Sequence, residues 1–205
     1  GIVLGVYIGT IVLLNIPNIQ QAMSVFVAEE LSEVLNTKVV IGRINMGLLN
    51  RIIIDDVLLD DQSGQEMLKV TRLSAKFDIM PFFKGKISIS SVQLFGFNIN
   101  LRKETPDSPP NFKFVLDAFA SKDTVKKENS LDLRINSILI RRGRMSYHVL
   151  SEEETPGKFN AKHIQLQNII ANISLKALSK DSLNLGIKRL SLDEKASGFS
   201  LKKMS

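Results

Sequence analysis

The chain has 205 residues, 44% of them apolar, with 27 basic against 21 acidic side chains and no cysteine or tryptophan. That length buries a core in one large or two small domains, and the absence of cysteine excludes disulfides and thiolate metal sites. The excess charge of +6 lies in the last third, since residues 1–130 carry 14 basic and 14 acidic side chains and residues 131–205 carry 13 and 7; without aromatics interleaved on a recognisable module, no nucleic-acid partner is expected.

Gly1 to Leu14 reads GIVLGVYIGTIVLL, fourteen residues without a charge. A bilayer-spanning helix takes about 20 apolar residues, so the run is short as it stands. It begins inside the apolar stretch without Met, and no small-residue cleavage site follows, which sets it apart from a signal peptide. Residues 1–16 are therefore read as a truncated transmembrane helix, with Ile2, Val3, Leu4, Val6, Ile8, Ile11, Val12, Leu13 and Leu14 as the membrane anchor. Pro17 breaks the run and suits a helix first turn.

Residues 17–36 carry Ile19, Met23, Phe26, Val27, Leu31, Val34 and Leu35 at helical spacing, which predicts an amphipathic helix. Its polar face is acidic, which favours a helix capping the open end of a sheet over one lying along a membrane.

From residue 37 one pattern recurs seven times: apolar, any, apolar, any, any, apolar, any, apolar. The copies are Val39-Ile41-Ile44-Met46, Ile52-Ile54-Val57-Leu59, Leu68-Val70-Leu73-Ala75, Ile87-Ile89-Val92-Leu94, Leu133-Ile135-Ile138-Ile140, Phe159-Ala161-Ile164-Leu166 and Leu185-Ile187-Leu190-Leu192. Each half is the period-2 alternation of a strand. The two-residue step shifts the phase, and a β-bulge at that step keeps both apolar pairs on one face while adding twist. Repeated at one level in every strand, it predicts a strongly curved sheet.

Residues 37–103 form a first β-groove segment. Within it, Asp60-Asp61-Gln62-Ser63-Gly64 reads as a turn, its carboxylates lacking calcium-loop spacing. Residues 104–130 form a loop marked by Pro106, Pro109 and Pro110, then a short helix on Phe112, Val115, Leu116 and Phe119 that plugs or covers the sheet. Residues 131–205 form a second β-groove segment, continuing beyond the sequence given. The fold class is mainly β: a curved, twisted, antiparallel-type sheet with N-terminal helices and one inserted helix, showing little sign of parallel βαβ units.

No phosphate loop, metalloprotease signature or nucleophile elbow is present, so no enzyme, cofactor or metal is expected. His148 and His163 read as isolated, solvent-facing strand residues, with no carboxylate or serine placed beside either.

The order of the segments is more specific than any one of them. The N-terminal apolar stretch, NIPNIQQAMSVFVAEELSEVLNTKVVIGRI, RIIIDDVLLDDQSGQEMLKVTRLSAKFDI and the segment Asn111–Phe114 together resemble the start of TamB/AsmA-like envelope proteins of the Bacteroidota type, over residues 1 to about 120. The resemblance implies a long periplasmic β-structure with an apolar inner face, anchored in the inner membrane. Outside this sequence it would reach a BamA/TamA-like outer-membrane barrel. It also implies phospholipid movement between the membranes or help in outer-membrane protein assembly.

The candidate lipid-groove residues are Val39, Ile41, Ile52, Ile54, Val70, Ile87, Ile89, Val92, Leu94, Leu133, Ile135, Ile138, Ile140, Ile164, Leu166, Leu185 and Ile187. Two functions stand side by side: a non-enzymatic phospholipid conduit, or a scaffold that pairs its strand edges with client proteins. An ordinary sandwich, its apolar face closed by a second sheet, fits the same pattern.

Overall fold

The computed structural model describes residues 16–47, 50–78, 87–120, 131–132, 137–178 and 183–204, with Gly5, Gly9 and Val12 before them. The elements are α1 (Pro17–Leu35), β1 (Val39–Gly47), β2 (Arg51–Asp60), β3 (Glu66–Phe77), β4 (Ile87–Lys103), α2 (Lys113–Ala120), β5 (Leu131–Asp132), β6 (Ser137–Val149), β7 (His163–Leu178), β8 (Leu183–Glu194) and β9 (Ser200–Met204). The strands form one open sheet in the order β1-β2-β3-β4-β6-β7-β8-β9, with β5 pairing β4. No second sheet faces it among the described residues.

Neighbours pair antiparallel except at one place. β4 and β6 run parallel, from Ser91 opposite Ser137 to Lys103 opposite Val149, and β5 continues that side with Ile87 opposite Leu131. The expectation of an antiparallel-type sheet is corrected here. Parallel strands need a crossover of a dozen residues or more, and residues 104–136, with α2 inside them, supply it. The prolines of that segment marked a loop, but nothing in their spacing showed that the chain returns to the same end of the sheet.

Pro17 opens α1 at its first position, and Asn36 closes it in the left-handed conformation, φ 48°. The Thr37 amide donates to the Ser32 carbonyl, and the Gln62 side chain donates to the Leu35 carbonyl at 2.9 Å. α1 is thereby tied to the β2–β3 turn. Met23, Val27, Ala28 and Leu31 pack on a cluster of Leu35, Val39, Ile41, Ile44, Leu59 and Met67, joined by Phe112, Phe114, Val115 and Ala118 around α2. Of the predicted stripe, Phe26 is 63% and Val34 40% exposed, so the sheet-facing side is rotated toward Gln20 and Ser24, both buried. On α2, Leu116 is likewise 59% exposed while Phe114 and Ala118 pack inward.

Among the described residues no helix is long and apolar enough to cross a membrane. Of the expected anchor only Val12 falls within the described residues, 62% exposed; Ile2, Val3, Leu4, Val6, Ile8, Ile11, Leu13 and Leu14 lie outside them.

Candidate functional site

From β1 to β4 and on through β6 and β7 the extra residue of each strand sits at a common level; β8 departs from the row, its pairing passing over Lys188 between Arg189–Asn172 and Ile187–Ile173. Pairing passes from Ile41–Val57 to Arg43–Asp55, stepping over Gly42 and Asp56. It steps over Asp56 and Thr71 between β2 and β3, and over Thr71 and Gly96 between β3 and β4. Gly96 and Arg142 lie in the next gap, and Asn168 follows on β7 between Leu166 and Ile169. Asp56, Gly96, Arg142 and Asn168 all have φ between 53° and 64°. Such a residue reverses the local turn of the chain, so the apolar pairs before and after it stay on one face. From β1 to β4 every strand carries the extra residue, so register is kept on both sides of the row. A bulge confined to one strand would displace it.

In β1, β2 and β3 the kink falls where the pattern places it. In β4, β6 and β7 it falls one half-pattern later, and the working copies are Val92-Leu94-Phe97-Ile99, Ile138-Ile140-Gly143-Met145 and Ile164-Leu166-Ile169-Ala171. Phe159, 62% exposed, and Ala161 belong to the turn before β7 rather than to a strand. Two glycines make the row possible. Gly96 takes a left-handed φ of 64° with Thr71 Oγ1 donating to its carbonyl at 3.1 Å. A Cβ on Gly143 would overlap the Phe97 ring, which crosses from the neighbouring strand to fill the apolar position Gly143 leaves vacant.

The candidate groove residues divide into two groups. Val39 and Ile41 are buried, and Ile52 and Ile54 half-buried, in the cluster covered by α1 and α2. Val70, 1% exposed, centres a second cluster with Phe97 and Ile169, against which Leu94, Ile140 and Leu166 pack. Val92, Ile138 and Ile164 are half-buried and Ile187 is 47% exposed. Over β4–β8 no helix or other described element packs on this face. Ile87, Ile89 and Leu185 lie on strands with their side chains outside the described set, and Leu133 and Ile135 lie outside the described residues.

The opposite face is polar. Arg72 bonds Asp55 across β2 and β3 at 2.6 Å, and the Arg142 guanidinium lies 5.1 Å from the Phe95 ring centroid. A hollow of ≈ 570 Å³ at the kink is lined by Thr71, Arg72, Gln93, Leu94, Phe95, Leu139 and Arg141.

Two acids pin the strand ends. Asp61, 2% exposed, accepts from the Ser63 amide and hydroxyl, the Gln65 amide and the Asn111 side chain, and pairs with Arg102 at 2.6 Å. Burial pushes its carboxyl up, but the hydrogen bonds from Ser63, Asn111 and Gln65 outweigh it and hold the group below the usual 3.8. Glu194 does the same at the β8–β9 turn, held low by the Ser197 hydroxyl against the opposing effect of burial, with the Ser197, Ala196 and Gln165 amides adding to it. The Asp61 carboxylate of the Asp60–Gly64 turn thus anchors the turn to Asn111 and Arg102.

The structure corrects the reading of the histidines. His148 and His163 face each other across β6 and β7 with their Nδ1 atoms 3.0 Å apart, and Glu154 stands beside both.

Comparison with known proteins gives no further guide. No family model matches the chain, and neither the curated proteins nor the solved structures provide a match.

Proposed function

We propose that this chain is a non-enzymatic apolar groove that carries phospholipid acyl chains along a bent sheet, anchored in a bacterial inner membrane with its body in the periplasm. The observation that carries the reading is the apolar face of β4–β8, half-exposed on either side of its buried Phe97–Ile169 centre, over which no described element packs. A globular domain covers such a face with a second layer. Among the described residues the cover reaches only the β1–β3 end, where α1 and α2 lie. Sheltering a tail is worth about 0.8 kcal/mol per methylene, so a groove that runs the length of the chain holds it without a tight site at any one step. The headgroup stays in water at the rim.

The anchor over residues 1–16, the TamB/AsmA-like relationship and a BamA/TamA-like barrel as distal partner belong to the same proposal. They rest on the sequence order described above. The alternative, a scaffold for outer-membrane protein assembly, uses the strand edges and leaves the face idle.

Mass spectrometry of lipids co-purifying with the detergent-extracted chain tests the choice. The conduit predicts phospholipid at defined stoichiometry, lost in Val92→Asp, Ile138→Asp and Ile187→Asp while the fold survives. Lipid-free wild-type protein, or retention in all three variants, contradicts it. A scaffold instead tolerates these changes and fails when proline replaces Lys202 on the edge strand β9.

A further inference from the structure

A second cluster, remote in kind from the apolar face, has the make-up of a cation site. His148 on β6 and His163 on β7 are register partners at the end of the hairpin, and residues 150–162 loop back over them. The Nδ1 atoms are 3.0 Å apart, and Glu154 Oε1 lies 3.7 Å from the first and 3.9 Å from the second. All three ligand atoms fall within 4.8 Å of one another.

The second ring nitrogen decides how this cluster is set. His163 Nε2 lies 2.9 Å from the Glu152 carbonyl, which only accepts, so Nε2 carries the proton. Nδ1 of neutral His163 is then a bare lone pair aimed at His148 and Glu154. A ligating histidine that donates its other N–H to a backbone carbonyl is the arrangement that fixes tautomer and ring orientation in metal sites. His163 is also 8% exposed, so its ring is held by packing.

We propose that His148 Nδ1, His163 Nδ1 and a Glu154 carboxylate oxygen bind one borderline divalent cation of the zinc class. Two imidazoles and one carboxylate are the donor set that suits this class, with the fourth position left to water. Tetrahedral zinc with bonds of about 2.0–2.1 Å holds its ligands about 3.3–3.4 Å apart. The nitrogens need to part by a few tenths of an ångström, and Glu154, 65% exposed, to move in by about half an ångström.

The surroundings do not oppose the charge. Arg102, the β4 neighbour of His148, is neutralised by Asp61, and Lys162 by Glu152 at 2.6 Å. The loop itself is shaped for the task, because the Asn160 side chain donates to the Glu153 carbonyl and keeps residues 152–154 over the hairpin. An ion here would clamp the end of the β6–β7 hairpin, the rim of the open half of the sheet.

The test titrates the whole chain, purified without a histidine tag and stripped with a chelator, with zinc chloride in a calorimeter. Cobalt(II) serves as an optical reporter of tetrahedral coordination. One equivalent should bind, and His148→Gln and Glu154→Gln should each weaken it by at least about 100-fold, since even partners behind the ligands are worth 10–100-fold. Glu153→Gln, beside the site, should leave affinity unchanged. Glu154→Gln alters a largely exposed side chain, and its metal-free melting temperature should match wild type. No binding below millimolar zinc overturns the proposal and makes the pair a plain imidazole–imidazole hydrogen bond. Binding unmoved by His148→Gln and Glu154→Gln overturns it equally.

Discussion

The two ends of the apolar face are built from one repeated pattern and end in different states. Over β1–β3, α1 and α2 bury Val39, Ile41, Ile44 and Leu59 to 8% exposure or less. Over β4–β8 Phe97, Ile169 and Ala171, near the kink, are as deeply buried, while Val92 and Ile138 are half-buried and Ile187 is exposed. The strands do not make this difference, since the kink row crosses both. It comes from where the helices are tethered. Gln62 holds the end of α1, and Asn111 holds the start of α2 against Asp61 and the Asn100 carbonyl. Covering is therefore a local act of a few polar contacts, and over the remainder of the face no described element packs.

The sharpest way to break the comparison is to cut the same kind of side chain on each side. Ile41→Ala in the covered end should lose about 2–5 kcal/mol of stability in urea denaturation. Ile138→Ala in the open half should lose about 1 kcal/mol, in keeping with its partial burial. Equal losses would mean that a layer covers both.

Next in size is the tether. Asp61→Ala leaves Arg102 unpaired and several donors without an acceptor, and should lose about 3 kcal/mol. The same carboxylate gives a pH dependence. Its folded pKa lies below the unfolded value, so its contribution is complete above pH about 4 and is lost as pH falls through the lower folded value. Acid should therefore loosen the covered end, with amide exchange rising first around α1 and the β2–β3 turn.

The kink row comes third. Asp56 sits at φ 56°, so Asp56→Val should destabilise by about 1–2 kcal/mol, as left-handed backbone does for a side chain of that shape, whereas Asp56→Gly should be close to neutral. Both are read from the shift of the denaturation midpoint. Smallest of all, Ile187→Ser in the open half should change stability by about 0.5 kcal/mol or less while reducing lipid retention.

The sequence made the strands and the bend legible, because period-2 alternation with a phase step leaves few other readings. It placed the bend correctly in β1–β3, where the strand contains only one copy. In β4 the alternation runs from Ile87 to Leu101, so the template fits at Ile87–Leu94 and again at Val92–Ile99. Gly96 and Asn168, residue types that accept positive φ, were the signals that separate such fits. Arg142 gave none. The parallel β4–β6 pair and the meeting of His148 with His163 depend on long-range register, which no local spacing encodes. Of the apolar face, Leu94, Ile140 and Leu166 were legible as strand residues that pack on one cluster. Which residues the helices would cover was not, since α1 turns Gln20 and Ser24 inward and Phe26 out, against its own apolar stripe.

The central claim, that the face of β4–β8 stands open to acyl chains, is tested most directly by photo-crosslinking at two adjacent residues of β6. Met145 lies on the apolar face and Arg144 is exposed on the other. A benzophenone amino acid placed at each in turn, in cells making the chain, should yield phospholipid adducts at position 145 and none at 144. Adducts at neither position, or equally at both, would contradict an open lipid-bearing face.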